Sequence, residues 1–177
     1  MIYLSLYLLI ASLAVFNDKV KNVKHLDLLV FLTIIILSSI RWTVGGDWES
    51  YTEYYTYFDQ ENSLRESLFY AIHFLLKFLN LDLLGKNIVL IILFLLPFYY
   101  VFKKHYENIY LALCIFFPII FLVYGLGSIR QGLAISYFFL FLYYDGNKYI
   151  KISLAFIPLF FHIISLFIII FYYFFQI

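Results

Sequence analysis

The chain has 177 residues, of which 65% are hydrophobic, 24% are aromatic and only 13% are charged. An average soluble domain is roughly 45–50% apolar and about 25% charged, so the polar side chains here are too few to cover the apolar surface. This composition excludes a soluble enzyme and a disordered chain, and a net charge of +1 gives no electrostatic basis for binding nucleic acid.

Six apolar runs are predicted to span a membrane. Some are shorter than the usual span of about 20 residues, which flanking residues and local thinning of the bilayer can accommodate. They are residues 1–16, 26–40, 88–102, 109–124, 133–144 and 152–175. A further apolar run, residues 68–84, carries His73 and Lys77 on one helical face, opposite a face of Leu and Phe. We expect this run to be a helix lying in the membrane interface. The predicted fold is therefore all-α, a polytopic transmembrane helix bundle that forms one domain over residues 1–177.

The distribution of lysines predicts the orientation of this bundle. With six spans and an interfacial helix, one face receives the residues Lys19, Lys21, Lys24, Lys103, Lys104, Lys148 and Lys151. Because short cytoplasmic loops are enriched in Lys and Arg, we predict that this face is cytoplasmic. Both termini are then outside, and residues 41–67 form an extracytoplasmic loop.

The first polar segment on the predicted outer side begins at Arg41. It contains a cation, a Gly-Gly turn, a carboxylate and many aromatic rings, contributed by Arg41, Trp42, Gly45, Gly46, Asp47, Trp48, Tyr51, Tyr54, Tyr55 and Tyr57. The glycines allow a sharp turn, so Arg41 and Asp47 are expected to face the same space. Aromatic faces flanked by carboxylates suit sugar rings, which makes Trp48 and Tyr51 candidate sugar-binding residues. The alternative is an aromatic belt at the membrane surface.

The second outer segment is GLGSIRQG, residues 125–132. Ser128 and Gln131 fit a capping box, which predicts a helix that starts after Ser128 and carries Arg130 in its first turn. A helix N-terminus offers N–H groups and partial positive charge, and a guanidinium adds a rigid fork of donors. The segment therefore predicts a diphosphate site. The alternative is a simple helix cap, with Arg130 extending to the lipid headgroups.

His162 lies inside the predicted last span, four residues after Pro158. An ionisable side chain at membrane depth indicates a polar cavity or pathway, and the structural alternative is a neutral imidazole hydrogen-bonded to a neighbouring helix. His73 was expected to carry less information, because it falls in the predicted interfacial helix. The sequence has no metal-ligand spacing, P-loop or Rossmann fingerprint, so no metal or cofactor is predicted.

Three short motifs follow one another along the chain. The first, after an early span, is an Arg followed by Gly-Asp and then Tyr. The second is IRQGLA before a later span, and the third is FH followed by a small polar residue within the last span. Their residues are Arg41, Gly46, Asp47 and Tyr51, then 129–134, then Phe161, His162 and Ser165. In their order and common topology they resemble the EpsG family, Wzy-like polymerases of bacterial exopolysaccharide, capsule and O-antigen synthesis. The resemblance covers most of the chain.

This resemblance implies a C-type glycosyltransferase of the bacterial cytoplasmic membrane. Such an enzyme joins oligosaccharide repeat units, carried on polyprenyl diphosphate, at the outer membrane face, alongside other polysaccharide-synthesis membrane proteins. It implies that Arg130 and Arg41 hold the carrier diphosphate as leaving group. Asp47 is the candidate to orient or deprotonate the acceptor hydroxyl, with His162 as second candidate. Ser128 and Gln131 are then expected to contact the same substrate.

Two alternatives to an active polymerase stay open at this point. Members of the family usually continue for several more spans, so we expect the chain to be the N-terminal part of a longer domain, and a truncated, inactive remnant is one alternative. The other is a polytopic transporter or channel, which an intramembrane His162 would also suit. Against the transporter, the polar residues cluster on one predicted outer face, and no inverted repeat is detectable.

Overall fold

The structure is a computed structural model, and it describes residues 1–40, 67–162 and 165. Every regular element within these residues is helical, which confirms the predicted all-α fold. The helices are α1 (Ile2–Val15), α2 (Asn17–Val20), α3 (Leu26–Ser39), α4 (Ser67–Phe78), α5 (Leu83–His105), α6 (Ile109–Phe116), α7 (Ile129–Tyr143) and α8 (Lys148–Phe161). A π-helical segment, Phe117–Gly127, continues α6.

Short polar side chains fix where three of the helices begin. The Asp82 carboxylate accepts a hydrogen bond from the Gly85 amide at 2.7 Å, and the Asn108 side-chain oxygen accepts one from Leu111 at 3.0 Å. The Asn147 side-chain oxygen accepts from Tyr149 at 2.8 Å. Asn and Asp are preferred at this position because they satisfy an amide that has no partner within the helix.

The central helix is α5, which packs against both α3 and α7. Its buried aromatic side chains interlock with rings from the neighbouring helices: the Phe98 and Phe116 ring centroids are 4.4 Å apart, and those of Phe98 and Phe139 are 5.2 Å apart. Much of the aromatic content of the sequence is therefore core packing.

One end of the bundle gathers the loops that carry the predicted cytoplasmic lysines, and we call it the lysine end. Here the Lys103 ammonium lies 2.9 Å from the Asp27 carboxylate, and Lys104 lies 3.1 Å from Asp145. The Asn108 side-chain amide donates to the Ala14 carbonyl at 3.0 Å. These contacts join the start of α3, the ends of α1 and α5, the start of α6 and the α7–α8 loop. The membrane side that this end faces stays a prediction.

Two helices in the described part of the chain are long and apolar enough to cross a membrane, Leu83–His105 and Ile109–Gly127. They correspond to the predicted spans at residues 88–102 and 109–124. The other apolar helices there, Ile2–Val15, Leu26–Ser39, Ser67–Phe78 and Ile129–Tyr143, are shorter. The prediction of six spans is therefore not confirmed and stays a prediction.

The apolar run predicted as a helix over residues 68–84 is divided between two helices. Helix α4 ends at Phe78, where Asn80 adopts a left-handed conformation with φ of 52°. The Leu81 amide donates to the Leu76 carbonyl at 3.1 Å, and the Asn80 amide donates to Lys77 at 2.9 Å, which is the Schellman pattern. Helix α5 then begins at Leu83, five residues before the predicted start of that span. The interfacial position of α4 stays a prediction.

The last predicted span, residues 152–175, is interrupted in the structure. Helix α8 contains Pro158 and ends at Phe161, and His162 is extended with φ of −158°. Proline removes one backbone donor and crowds the preceding turn, which weakens the helix near its end. The break is compatible with an apolar setting because the His162 carbonyl accepts hydrogen bonds from both the amide and the hydroxyl of Ser165, at 3.0 and 2.7 Å.

Candidate functional site

The residues of the predicted diphosphate site form the junction between the π-helical segment and α7. The Ser128 amide donates to the Val123 carbonyl at 3.2 Å, and Ser128 is the residue that precedes α7. Arg130 and Gln131 are the second and third residues of this helix, as the sequence predicts. The expected capping hydrogen bond from Ser128 is absent, because its ψ of 73° falls short of the extended conformation that directs a capping hydroxyl to the helix.

Two glycines and the ring of Phe94 fix the position of this junction. A Cβ atom on Gly125 would lie 2.6 Å from the Phe94 ring, and one on Gly132 would lie 3.1 Å from the same ring. On Gly132 it would also lie 2.8 Å from the backbone carbonyl oxygen of Tyr124. Phe94 is fully buried and therefore holds the end of the π-helical segment and the start of α7 against α5.

Helix α4 supplies an aromatic ring against Arg130. The guanidinium carbon of Arg130 lies 5.9 Å from the centroid of the Phe69 ring, within the range of a cation–π interaction. The His73 ring centroid lies 4.3 Å from that of Phe69, and His73 Nδ1 lies 3.0 Å from the Phe69 carbonyl oxygen. Arg130, Phe69 and His73 thus form one contiguous group of side chains, which we call the Arg130 cluster.

Sequence reasoning missed the part that His73 takes in this cluster. His73 was assigned to the polar face of an interfacial helix, but only 3% of its surface is exposed, whereas Phe74 and Phe78 are 60% and 74% exposed. The face of α4 that carries His73 therefore packs inward, against the bundle. One feature of the sequence could have indicated this burial: His73 is an ionisable side chain within a long apolar run.

His162 lies on the side of the α7–α8 pair that is opposite its connecting loop. Helices α7 and α8 are connected by residues 144–147 and pack against each other as an antiparallel hairpin. Ring contact between Tyr137 and Phe161, with centroids 5.4 Å apart, continues this packing to the last residue of α8. The half-buried His162 follows at once, so the break in α8 occurs on the side of the hairpin where α7 begins.

The start of α7 is also suited to bind an anion through its backbone. The first hydrogen bond within the helix runs from the Gly132 amide to the Ser128 carbonyl at 2.9 Å. The amides of Ile129, Arg130 and Gln131 precede that bond and point toward the helix N-terminus, where the helix dipole is positive. Combined with the guanidinium, this arrangement favours a phosphate group.

The candidate residues Arg41, Asp47, Trp48 and Tyr51 lie outside the described residues. The structure does show the helices that precede and follow the segment containing these residues. Helix α3 runs antiparallel to α5, because Asp27 pairs with Lys103 while Phe31 contacts Tyr99, with ring centroids 4.6 Å apart. Its last residue, Ser39, therefore points away from the lysine end. The chain returns at Ser67, two residues before the ring that contacts Arg130.

Comparison with known proteins identifies the family of the chain. The sequence profile of the EpsG family matches residues 24–177. No curated protein and no solved structure matches the chain. The matched range includes all the candidate site residues, from Arg41 to His162.

Proposed function

Because this chain belongs to the EpsG family, a family of membrane proteins of exopolysaccharide synthesis, we propose that it polymerises oligosaccharide repeat units carried on polyprenyl diphosphate. The proposed location is the outer face of the bacterial cytoplasmic membrane. The observation that carries this proposal is the Arg130 cluster, in which a guanidinium, a helix N-terminus and an aromatic ring come together at one end of the bundle.

The proposed reaction is a glycosyl transfer without a metal or cofactor. A hydroxyl oxygen of the incoming repeat unit attacks the anomeric carbon of the growing chain. A new glycosidic bond forms as the bond from that carbon to the diphosphate oxygen breaks, and polyprenyl diphosphate leaves with the electron pair. The hydroxyl proton passes to a base. The charge that develops on the diphosphate is the feature that the protein has to stabilise.

Arg130 is the residue we assign to the leaving diphosphate. Its side chain is partly buried, and its guanidinium lies against the Phe69 ring, so less conformational freedom is lost when it binds phosphate. The neighbouring Gln131 and Ser128 provide further polar groups at the start of α7. Arg41 is proposed as a second cation for the same diphosphate.

Two residues are proposed for the acceptor hydroxyl. Asp47 is the first candidate to orient or deprotonate it, and His162 is the second. The support for His162 is its position at a break in α8, at the Arg130 end of the α7–α8 hairpin. Trp48 and Tyr51 are proposed to stack on the sugar rings of the substrate.

The positions of the short basic loops and of Arg130 along the bundle support the proposed orientation. The residues Lys103 and Lys104 lie at the end of α5, whereas the start of α7 with Arg130 lies at the opposite end. If the lysine end is cytoplasmic, as short basic loops favour, the Arg130 cluster faces the compartment in which lipid-linked repeat units are polymerised.

Activity is best tested in membrane vesicles that contain the full chain and lipid-linked repeat units, with polymer length as the readout. Arg130→Lys retains the charge but loses the fork of donors, and we expect a fall in polymerisation rate of about 10²-fold. Arg130→Gln removes the charge as well and should slow polymerisation at least as much. Lys19→Gln is its control, because it removes one cation from an exposed position on the segment leading to the lysine end. Normal polymer with Arg130→Lys would contradict the assigned role.

The same vesicles separate an active polymerase from the two alternatives. An inactive remnant gives no polymer with the unmodified chain, even though the protein is present in the membrane. A transporter moves lipid-linked or free oligosaccharide into the vesicle without lengthening it, so the size of the product identifies it. Polymer that requires the chain and Arg130 supports the proposal.

A further inference from the structure

A second feature of the molecule, distant from the Arg130 cluster, is a cleft between α5, α7 and α8. Its volume is about 640 Å³, within the range of about 300–1,000 Å³ that is typical of small-molecule sites. Its walls come from the three helices and include Leu96, Tyr100, Lys104, Leu140, Ile150 and Leu154. The cleft is open to the outside of the bundle, where Leu96 and Ile150 are 57% and 49% exposed.

The chemistry of the cleft changes along its length. Toward the middle of the bundle, its walls are the apolar side chains of Leu96, Leu140 and Leu154. Toward the lysine end, α5 contributes Tyr99 and Tyr100, and then Lys103 and Lys104. A ligand that matches both parts has a long apolar chain and a negatively charged head.

The charged groups at the mouth of the cleft have a net positive charge. Lys103 pairs with Asp27 at 2.9 Å, and Lys104 pairs with Asp145 at 3.1 Å. Asp145 is also 3.6 Å from the His105 ring, and α8 adds Lys148 and Lys151 beside the same loop. Even with Glu107, two residues after His105, the carboxylates are three and the lysines four. A lysine ammonium has three donors, so Lys104 is able to bind a phosphate oxygen while it remains paired with Asp145.

We propose that this cleft binds one anionic phospholipid of the surrounding bilayer, with an acyl chain along Leu96, Leu140 and Leu154 and its phosphate at Lys104. Basic pockets between helices at a membrane surface are suited to anionic headgroups, and tyrosines favour the boundary between headgroups and hydrocarbon. The site is at the opposite end of the bundle from Arg130, so it is separate from the proposed site for the carrier diphosphate.

The test uses the full chain reconstituted in vesicles with equal amounts of phosphatidylglycerol and phosphatidylcholine, and then extracted gently for native mass spectrometry. We expect one retained phospholipid per protein, with phosphatidylglycerol preferred. Lys104→Gln is expected to lower this preference by about fivefold, the effect of one lysine near a charged membrane surface. Lys24→Gln is the control, because this exposed lysine lies outside the cleft.

A second pair of variants tests the acyl chain. Leu96→Trp is expected to obstruct the path of the acyl chain and to lower the retention of either phospholipid, and its exposed position makes the larger side chain compatible with folding. Ile92→Trp, one turn earlier on α5, is also partly exposed but does not line the cleft, and it should retain the lipid. Equal retention of both phospholipids, undiminished retention in Leu96→Trp, or displacement of phosphatidylglycerol by polyprenyl phosphate would each overturn the proposal.

Discussion

Phe94 and Gly125 approach each other so closely that a Cβ atom on the glycine would lie 2.6 Å from Cε1 of the ring. Because Phe94 is fully buried in α5, the ring has little room to move away. The contact joins the central helix to the segment that leads into α7, and the position of Arg130 depends on it.

We therefore expect Gly125→Ala and Gly132→Ala to destabilise the protein by about 1–3 kcal/mol each, the cost of overpacking a filled core. Gly132→Ala should be the more severe, since its methyl group would meet the Tyr124 backbone as well as Phe94. Thermal unfolding in detergent measures the effect. Gly127→Ala is the matched control, because no atom lies within 4 Å of its added methyl group. Equal stability of all three variants would contradict this account.

The ring of Phe69 is expected to position Arg130 for the diphosphate. Phe69→Leu keeps an apolar side chain but removes the ring face, so polymerisation should slow by about two- to fivefold, as expected for one cation–π contact. Phe74→Leu, on the exposed face of the same helix, is the control and should polymerise normally. An equal rate for the two variants at equal protein levels would show that the ring does not act on Arg130.

The pairing of Asp145 predicts that stability falls in acid. The hydrogen bond from Lys104 lowers the pKa of Asp145, with nearby His105 and Lys151 acting in the same direction. A lowered folded-state pKa stabilises the fold above the unfolded pKa of about 3.9, and the stabilisation disappears as the pH falls through the folded value. Asp145→Asn should lower the unfolding temperature at neutral pH and have no effect in strong acid. A difference that is constant across this range would refute the pairing.

Asp27 of α3 and the residues Tyr99 and Lys103 of α5 are expected to stabilise the protein through one shared set of hydrogen bonds at the lysine end. The Asp27 carboxylate accepts from the Tyr99 hydroxyl at 3.0 Å and from Lys103 at 2.9 Å. Lys103→Met should lower the unfolding temperature only slightly, because the lysine is more than half exposed and exposed ion pairs contribute little to stability. In a double-mutant cycle with Asp27→Asn, the two losses should not add. Additive losses would mean that the pair contributes nothing.

Local patterns were sufficient to predict several parts of the structure. Most of the apolar runs correspond to helices, and α7 begins at Ile129, directly after Ser128, although the expected capping hydrogen bond is absent. These predictions succeed because helix formation and helix starts depend on residues that are close in sequence. The family was also identified from short motifs, and the profile match confirms it.

Contacts between distant residues could not be predicted in this way. The place of Phe94 between Gly125 and Gly132 depends on how α5 meets α7, which no local pattern encodes. The inward orientation of His73 has the same origin, since the packing of α4 decides which of its faces is buried. The break at His162 is a local feature, in which Ser165 supplies two hydrogen bonds to the His162 carbonyl, but the continuous apolar run of residues 152–175 predicted one uninterrupted helix.

The tight turn after α4 limits how that helix can move. Residues 79–82 connect it to α5 and reach at most about 14 Å when fully extended. We therefore expect any displacement of α4 relative to α5 to be mainly a rotation about this short connection. Phe69 lies near the far end of α4, about 15 Å along the helix axis from the pivot. A small rotation thus produces its largest movement at Phe69, and the contact with Arg130 is the first that it changes.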